Sequence, residues 1–139
     1  TQTPRDELRP TFAYHTTGGI DDGPRWVITT DHRPGLFGWA QTTLPVAGGE
    51  AYRVEVWRRS QGVDHPRRCG VVRILWRDDA DRPVTHDAVS TASFLPDVIP
   101  TAEAEFPGDA EQRGDGWQRV TGTYLAPKRA TRAILELQH

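Results

Sequence analysis

The chain has 139 residues, of which 36% are hydrophobic, and its formal net charge is −2. That length is enough for one domain with a substantial core, and the charge gives no reason to expect a nucleic-acid partner. Its 13 glycines and 11 prolines favour many turns and few long helices. There is no apolar run of transmembrane length, so no membrane partner is expected either. The single cysteine excludes an internal disulfide.

Short segments of alternating apolar and polar residues recur along the chain and are separated by turn residues. A period of two residues is that of a β-strand, and no stretch sustains a helical period over three turns. The pattern predicts strands near 11–15, 25–31, 36–46, 50–59, 70–78, 117–125 and 130–138. Such a series predicts an all-β protein, a two-sheet antiparallel β-sandwich. We expect one domain over residues 1–139, and we expect it to be a piece of a larger protein, because the chain contains no methionine and ends within a predicted strand.

The alternation also predicts which side chains form the core. We expect the apolar sides of the strands to be buried together: Tyr52, Val54, Val56, Val72, Ile74, Trp76, Tyr124, Leu135 and Leu137. Trp26 and Trp117 are expected in the core as well, although Trp117 and Val120 share one face of a strand only if a bulge lies between them.

The segment 86–116 interrupts the series of strands. Its acidic residues outnumber its single arginine by seven to one, and it also contains three prolines and several large apolar residues. A connection of this length without regular structure is often functional. Two interpretations stay open, namely a surface excursion with a short irregular strand and the acidic wall of a binding site.

The strand predicted at 50–59 has a tryptophan on its polar side. Arg53, Glu55 and Trp57 alternate with the apolar residues and therefore face away from the core. This arrangement is typical of sugar-binding surfaces, because an aromatic ring stacks on a pyranose while charged side chains bond its hydroxyls. Two alternatives stay open: an ordinary surface cation–π pair between Trp57 and an arginine of the same strand, Arg53 or Arg59, and coverage of the ring by the segment 86–116.

Other strands supply further candidates for the same site. Arg73 is expected to join Trp57 if strands 50–59 and 70–78 lie in one sheet, with Glu136 across the sheet. The strand at 36–46 turns Trp39 and Gln41 outward. The candidate ligand-binding residues are therefore Trp57, Arg53, Glu55, Arg73, Glu136, Trp39 and Gln41.

Several segments, taken in order, resemble one family. The segment 38–59 has a glutamine before a strand, the turn Gly48-Gly49, and then Tyr52 followed by alternating apolar residues. It is similar to the third and fourth strands of carbohydrate-binding modules with the galactose-binding-like jelly-roll fold. The segments 116–127 and 130–137 resemble their late strand pair, and 24–26 resembles the opening of their second strand.

The resemblance implies a jelly-roll fold and a non-catalytic module that binds a glycan or another small polar ligand. Such a module is appended to a neighbouring catalytic domain, which here would lie outside the chain. The same pattern is similar to an accessory domain that precedes carbon–nitrogen hydrolases in some bacterial multidomain proteins. That second resemblance implies a structural, docking or oligomerisation domain instead.

No cofactor and no enzymatic activity are expected. The family's structural calcium site uses an acidic residue after a phenylalanine of the first strand, and the strand at 11–15 lacks that residue. The histidines are widely spaced without a chelating pair. No serine lies in a nucleophile elbow, and the Cys-Glu-Lys constellation of the hydrolases is not found. A glycosidase-like carboxylate pair such as Glu55 and Glu136 stays open, because its separation decides the chemistry.

Arginines are frequent between residues 53 and 82, where eight occur. Five acidic residues are interleaved with them. This mixture indicates a surface of both charges, so no nucleic-acid binding is expected.

Overall fold

The computed structural model describes residues 1–31, 33, 35–88 and 99–139. Its strands are β1 (Thr11–His15), β2 (Arg25–Thr29), β3 (Trp39–Pro45), β4 (Ala51–Arg58), β5 (Val71–Arg77), β6 (Gly108–Gln112), β7 (Gln118–Leu125) and β8 (Arg132–Gln138). The helical elements are short, with 3₁₀ turns at Asp6–Leu8 and Ile20–Asp22 and one helix, α1, at Pro66–Cys69. The prediction of an all-β protein is confirmed, and the seven predicted strands are all present. β6 was not predicted as a regular strand.

The strands of the described residues form three antiparallel sheets. Sheet I has the order β3-β8-β5, and sheet II has the order β4-β7-β6. β1 and β2 pair with each other in a separate two-stranded sheet. Sheets I and II are the two layers of a β-sandwich, because the side chains between them form one hydrophobic cluster.

The core lies between sheets I and II. Ile74 and Trp76 of β5 are buried and pack with Ala133 of β8. Side chains from both layers pack against this cluster: Tyr52, Val54, Tyr124 and Leu135. Most of the predicted core is therefore present, but Val56 and Leu137 are only partly buried and line a cleft at one end of the sandwich.

The structure shows no bulge between Trp117 and Val120, where one was expected. β7 begins at Gln118, so Trp117 precedes the strand and its facing is not constrained by the alternation. The register irregularity is in β6, between Asp109 and Gln112. Val120 then faces the core opposite Val56 without a bulge in its own strand.

The described part of segment 86–116 lies along the edges of both sheets. Glu105 exchanges two backbone hydrogen bonds with Ile74, with N–O distances of 2.9 and 3.0 Å, and so extends sheet I beside β5. β6 then pairs with β7 and extends sheet II. Residues 89–98, which include the apolar Phe94, Leu95 and Val98 of this segment, lie outside the described residues.

Candidate functional site

The structure divides the predicted site residues between the two layers. Arg53, Glu55 and Trp57 lie on β4 of sheet II, whereas the other four lie in sheet I: Trp39, Gln41, Arg73 and Glu136. The condition for Arg73 to join Trp57 was a shared sheet, and it is not met, because β4 pairs with β7 while β5 pairs with β8. There are consequently two candidate surfaces, one on the outer face of each layer.

The Trp57 surface, on the outer face of sheet II, consists of Arg53, Glu55, Trp57, Glu111 and Arg119. Arg53 and Glu55 have 61% and 38% of their side-chain area exposed, and Trp57 is partly exposed. The pairing of β4 with β7 places Arg119 directly beside Trp57. Sequence reasoning missed Arg119, because the order of strands in a sheet is not visible within one strand, and it missed Glu111 because β6 was not predicted.

Two arginines and two glutamates alternate on the Trp57 surface. Arg53 Nη2 and Arg119 Nη1 lie 3.2 and 3.3 Å from Glu55 Oε2, and Arg119 Nη2 lies 2.6 Å from Glu111 Oε2. The backbone amide of Glu111 and then the guanidinium of Arg119 hold the pKa of Glu111 below its ordinary value. The four charges cancel, so this surface offers donors and acceptors together without a net charge.

The ring of Trp57 has an arginine over it. The Cζ atom of Arg113 lies 5.9 Å from the ring centroid, and Arg113 also pairs with Asp21 at 3.0 Å. This is the cation–π pair considered as one alternative, but its arginine comes from the connection between β6 and β7 rather than from β4. Arg59 lies instead over Trp117, 4.9 Å from the centroid. A ligand that stacks on this side of Trp57 has to displace Arg113.

The Trp39 surface, on the outer face of sheet I, consists of Trp39, Gln41, Arg73, Glu136 and Gln138. Gln41 and Arg73 flank Glu136 in register from β3 and β5. The Glu136 side chain is only 4% exposed, and its Oε2 accepts hydrogen bonds from Arg73 Nε at 2.7 Å and Gln138 Nε2 at 2.8 Å. The Trp39 indole N–H donates to Gln41 Oε1 at 3.0 Å. Because these groups bond one another, few are free for a ligand.

Glu55 and Glu136 do not form a catalytic pair. They project from the outer faces of different layers, with the core of the sandwich between them. Two carboxylates that flank one glycosidic bond have to face a common site. Among the described residues no group of three histidine, cysteine, aspartate or glutamate side chains could hold a metal ion.

Sequence reasoning missed an exposed aromatic patch on the two-stranded sheet. Trp26, which was expected in the core, is 44% exposed, and its cross-strand neighbour Tyr14 is 56% exposed, with ring centroids 5.4 Å apart. The expectation for Trp26 is wrong because β1 and β2 pair only with each other, so the alternation of β2 does not direct this side chain into the core between sheets I and II. A depression of about 700 Å³ beside the pair is also lined by Asp6, Arg9 and Phe12.

A cleft of about 550 Å³ opens between the layers at one end of the sandwich. Apolar side chains of three strands line it, namely Val56 of β4, Val72 of β5 and Leu137 of β8. The strand β2 and the segment 59–63 contribute further lining residues. The cleft is where the inward faces of the two sheets are not packed against each other.

The helical segments of the described residues are too short and too polar to cross a lipid bilayer. No protein-family model, curated protein or solved structure matches the chain. The family resemblance therefore stays a prediction, and function has to be inferred from the surfaces themselves.

Proposed function

We propose that the protein is a non-catalytic carbohydrate-binding module of the galactose-binding-like jelly-roll type, and that a neutral glycan binds on the Trp57 surface. The observation that carries the proposal is the position of Trp57 on the outer face of sheet II, beside two exposed side chains of opposite charge, Arg53 and Glu55. An indole ring stacks on the apolar face of a pyranose, and such stacking contributes about 0.5–1.5 kcal/mol beyond area burial. The guanidinium groups donate to sugar hydroxyls and the carboxylates accept from them.

The Trp57 surface suits a sugar better than the Trp39 surface does. Both arginines that pair with Glu55 contact the same oxygen, Oε2, which leaves Oε1 to accept a hydroxyl hydrogen. Glu136, by contrast, is almost fully buried and is held by Arg73 and Gln138. A ligand gains little from a carboxylate that is already buried and hydrogen-bonded.

A neutral ligand fits the balance of charge on this surface. The charges of Arg53 and Arg119 cancel those of Glu55 and Glu111, so neither an anionic nor a cationic glycan is favoured over an uncharged one. Binding displaces Arg113 from the ring, which costs about 0.5–1 kcal/mol for an exposed cation–π pair. Stacking and new hydrogen bonds from the sugar offset a cost of that size.

We propose further that the module serves a catalytic domain outside this chain, as the resemblance implies. The separation of Glu55 from Glu136 supports a non-catalytic role for the sandwich itself. Binding a glycan next to a catalytic domain raises the effective concentration of substrate at that domain.

A glycan array probed with the wild type and two matched variants tests the proposal. Trp57→Ala removes the ring from the proposed surface, and Trp39→Ala removes a partly exposed tryptophan from the outer face of the other layer. We expect the wild type and Trp39→Ala to bind the same neutral glycans and Trp57→Ala to bind none, with similar melting temperatures for all three. Binding that is lost in Trp39→Ala and kept in Trp57→Ala would contradict the proposed location.

A docking or oligomerisation domain is the second candidate, and the exposed pair of Tyr14 and Trp26 favours it. Tyrosine and tryptophan are enriched at protein interfaces, and these two rings lie exposed side by side. Sedimentation velocity of the wild type and of Trp26→Ser tests this candidate. A wild-type oligomer that Trp26→Ser converts to a monomer, together with an array that shows no glycan binding, would replace the carbohydrate proposal with this one.

A further inference from the structure

We infer that the cleft between the layers binds a small amphipathic organic anion, with an apolar body between the sheets and a carboxylate toward the arginines that line the opening. This inference does not rest on the glycan proposal. Trp57 also lines the cleft, but the arginines and the apolar side chains that carry the inference are not part of the Trp57 surface.

The size and walls of the cleft suit the apolar part of such a ligand. Its volume of about 550 Å³ lies within the range of roughly 300–1,000 Å³ that is usual for small-molecule sites. Val56 faces Val72 and Leu137 across the gap between the layers. An apolar body placed there covers Val56 and Leu137, which the two sheets leave partly uncovered, and that burial favours binding.

The polar lining of the cleft has one sign of charge. Three arginines line it, Arg25, Arg58 and Arg59, and no aspartate or glutamate side chain of the described residues does so. The whole chain, by contrast, has 19 acidic and 17 basic residues. The potential in the cleft is therefore positive although the protein as a whole is slightly negative, and an anion is attracted to it.

Two of the three arginines have no carboxylate of a described residue beside them to neutralise their charge, although Arg59 lies over the ring of Trp117. Arg58 is already paired with Asp109 at 2.9 Å, but neither Arg25 nor Arg59 forms an ion pair with a described residue. Arg25 donates from Nη1 to the carbonyl of Gly18 at 2.9 Å, and its buried Nε has no hydrogen-bond partner among the described residues. Guanidinium groups with unused N–H donors beside an apolar wall bind carboxylates strongly, because the bonds are charge-assisted and partly shielded from water.

The test uses the fluorescent dye anilinonaphthalene sulfonate, an aromatic anion that brightens in apolar sites, and displaces it with a matched pair of competitors. Octanoate and n-octanol have apolar chains of similar length, but octanoate ends in a carboxylate and n-octanol in an uncharged hydroxyl group. We expect the folded wild type to bind the dye and octanoate to displace it at concentrations at least tenfold below those that the alcohol needs. Equal potency of the two competitors, or no dye binding by the wild type, would overturn the inference.

Variants locate the site. In the double variant Arg25→Gln and Arg59→Gln we expect dye affinity to fall at least tenfold, the change that loss of a charge-assisted hydrogen bond produces. Arg53→Gln removes an arginine from the outer face of sheet II, and Tyr14→Ala disrupts the exposed aromatic patch. Both controls are expected to keep wild-type dye affinity. Loss of binding in Tyr14→Ala with full binding in the arginine double variant would place the dye on the aromatic patch and contradict the inference. The competitor experiment on the wild type decides the question even if the double variant does not fold.

Discussion

Glu136 and Arg73 are predicted to stabilise the fold as a pair, so removing Arg73 alone is expected to be strongly destabilising. Replacing Arg73 by Met keeps most of the apolar stem of the side chain and removes the guanidinium. Glu136 is then left as a buried carboxylate with one amide donor, Gln138 Nε2 at 2.8 Å.

The magnitude follows from the burial of the two partners. Breaking a buried ion pair by removing one partner costs about 3–5 kcal/mol, because the other charge stays buried without compensation. Arg73 is 31% exposed, so water reaches the vacated position and the low end of that range applies, about 3 kcal/mol. For a domain of this size the corresponding fall in melting temperature is about 12 °C.

Urea unfolding followed by tryptophan fluorescence measures these differences, and a double variant separates the pair from its surroundings. Arg73→Met combined with Glu136→Leu removes both charges, and we expect it to recover most of the loss, since no buried charge stays uncompensated. Arg53→Met breaks the exposed pair with Glu55 and is the control, with an expected loss below about 1 kcal/mol. A loss below about 1 kcal/mol in Arg73→Met, or a double variant less stable than the single one, would refute the reasoning.

Three further predictions concern the core and two titrating groups. Trp76 is 3% exposed in the core, so Trp76→Ala is expected to cost about 3–5 kcal/mol in urea unfolding, and a loss below about 1 kcal/mol would mean that it packs elsewhere. The backbone amide and then the guanidinium of Arg82 hold the pKa of Asp78 below its ordinary 3.8. The ionised carboxylate therefore stabilises the fold above pH 3.8, and this stabilisation is lost as the pH falls through the lower pKa of the folded state. Asp78→Asn is therefore expected to melt below the wild type at about pH 7, with the gap closing at about pH 2; a gap independent of pH would contradict this. Burial and then the charge of Glu105 raise the pKa of Tyr124 above 10.0. In a pH titration followed by tyrosine absorbance, we expect one of the three tyrosines to ionise at a higher pH than in the unfolded chain. The variant Tyr124→Phe should lack this high-pH transition.

The strands that bury an apolar face could be predicted from the sequence. The strand β6 buries no such face, and it could not be predicted. β5 reads as alternating apolar and polar residues, and its buried side chains match the prediction. β6 has no such alternation, because it lies at the edge of sheet II and pairs mainly through its backbone. Its inward contact is an ion pair, Asp109 with Arg58 at 2.9 Å, and hydrophobic patterning does not reveal a contact of that kind.

The sequence predicts which side of a strand each side chain points to, but it does not predict which strands lie next to one another. Arg53, Glu55 and Trp57 share the outer face of β4 because alternation is a local property of the backbone. The placement of Arg73 depends on which strands pair, and Arg113 reaches Trp57 from a distant connection. Trp26 shows the same difference, since its exposure depends on what covers β2 rather than on its own alternation.

The most direct test of the central claim is a nuclear magnetic resonance titration of the indole N–H protons. The five tryptophans each contribute one such resonance, and a Trp57→Phe variant identifies the one from Trp57. During titration with a neutral oligosaccharide selected on the array, we predict that the Trp57 resonance shifts and saturates while that of the buried Trp76 stays in place. A Trp57 resonance that does not move, whether no tryptophan responds or only Trp26 does, would contradict the assignment of glycan binding to the Trp57 surface.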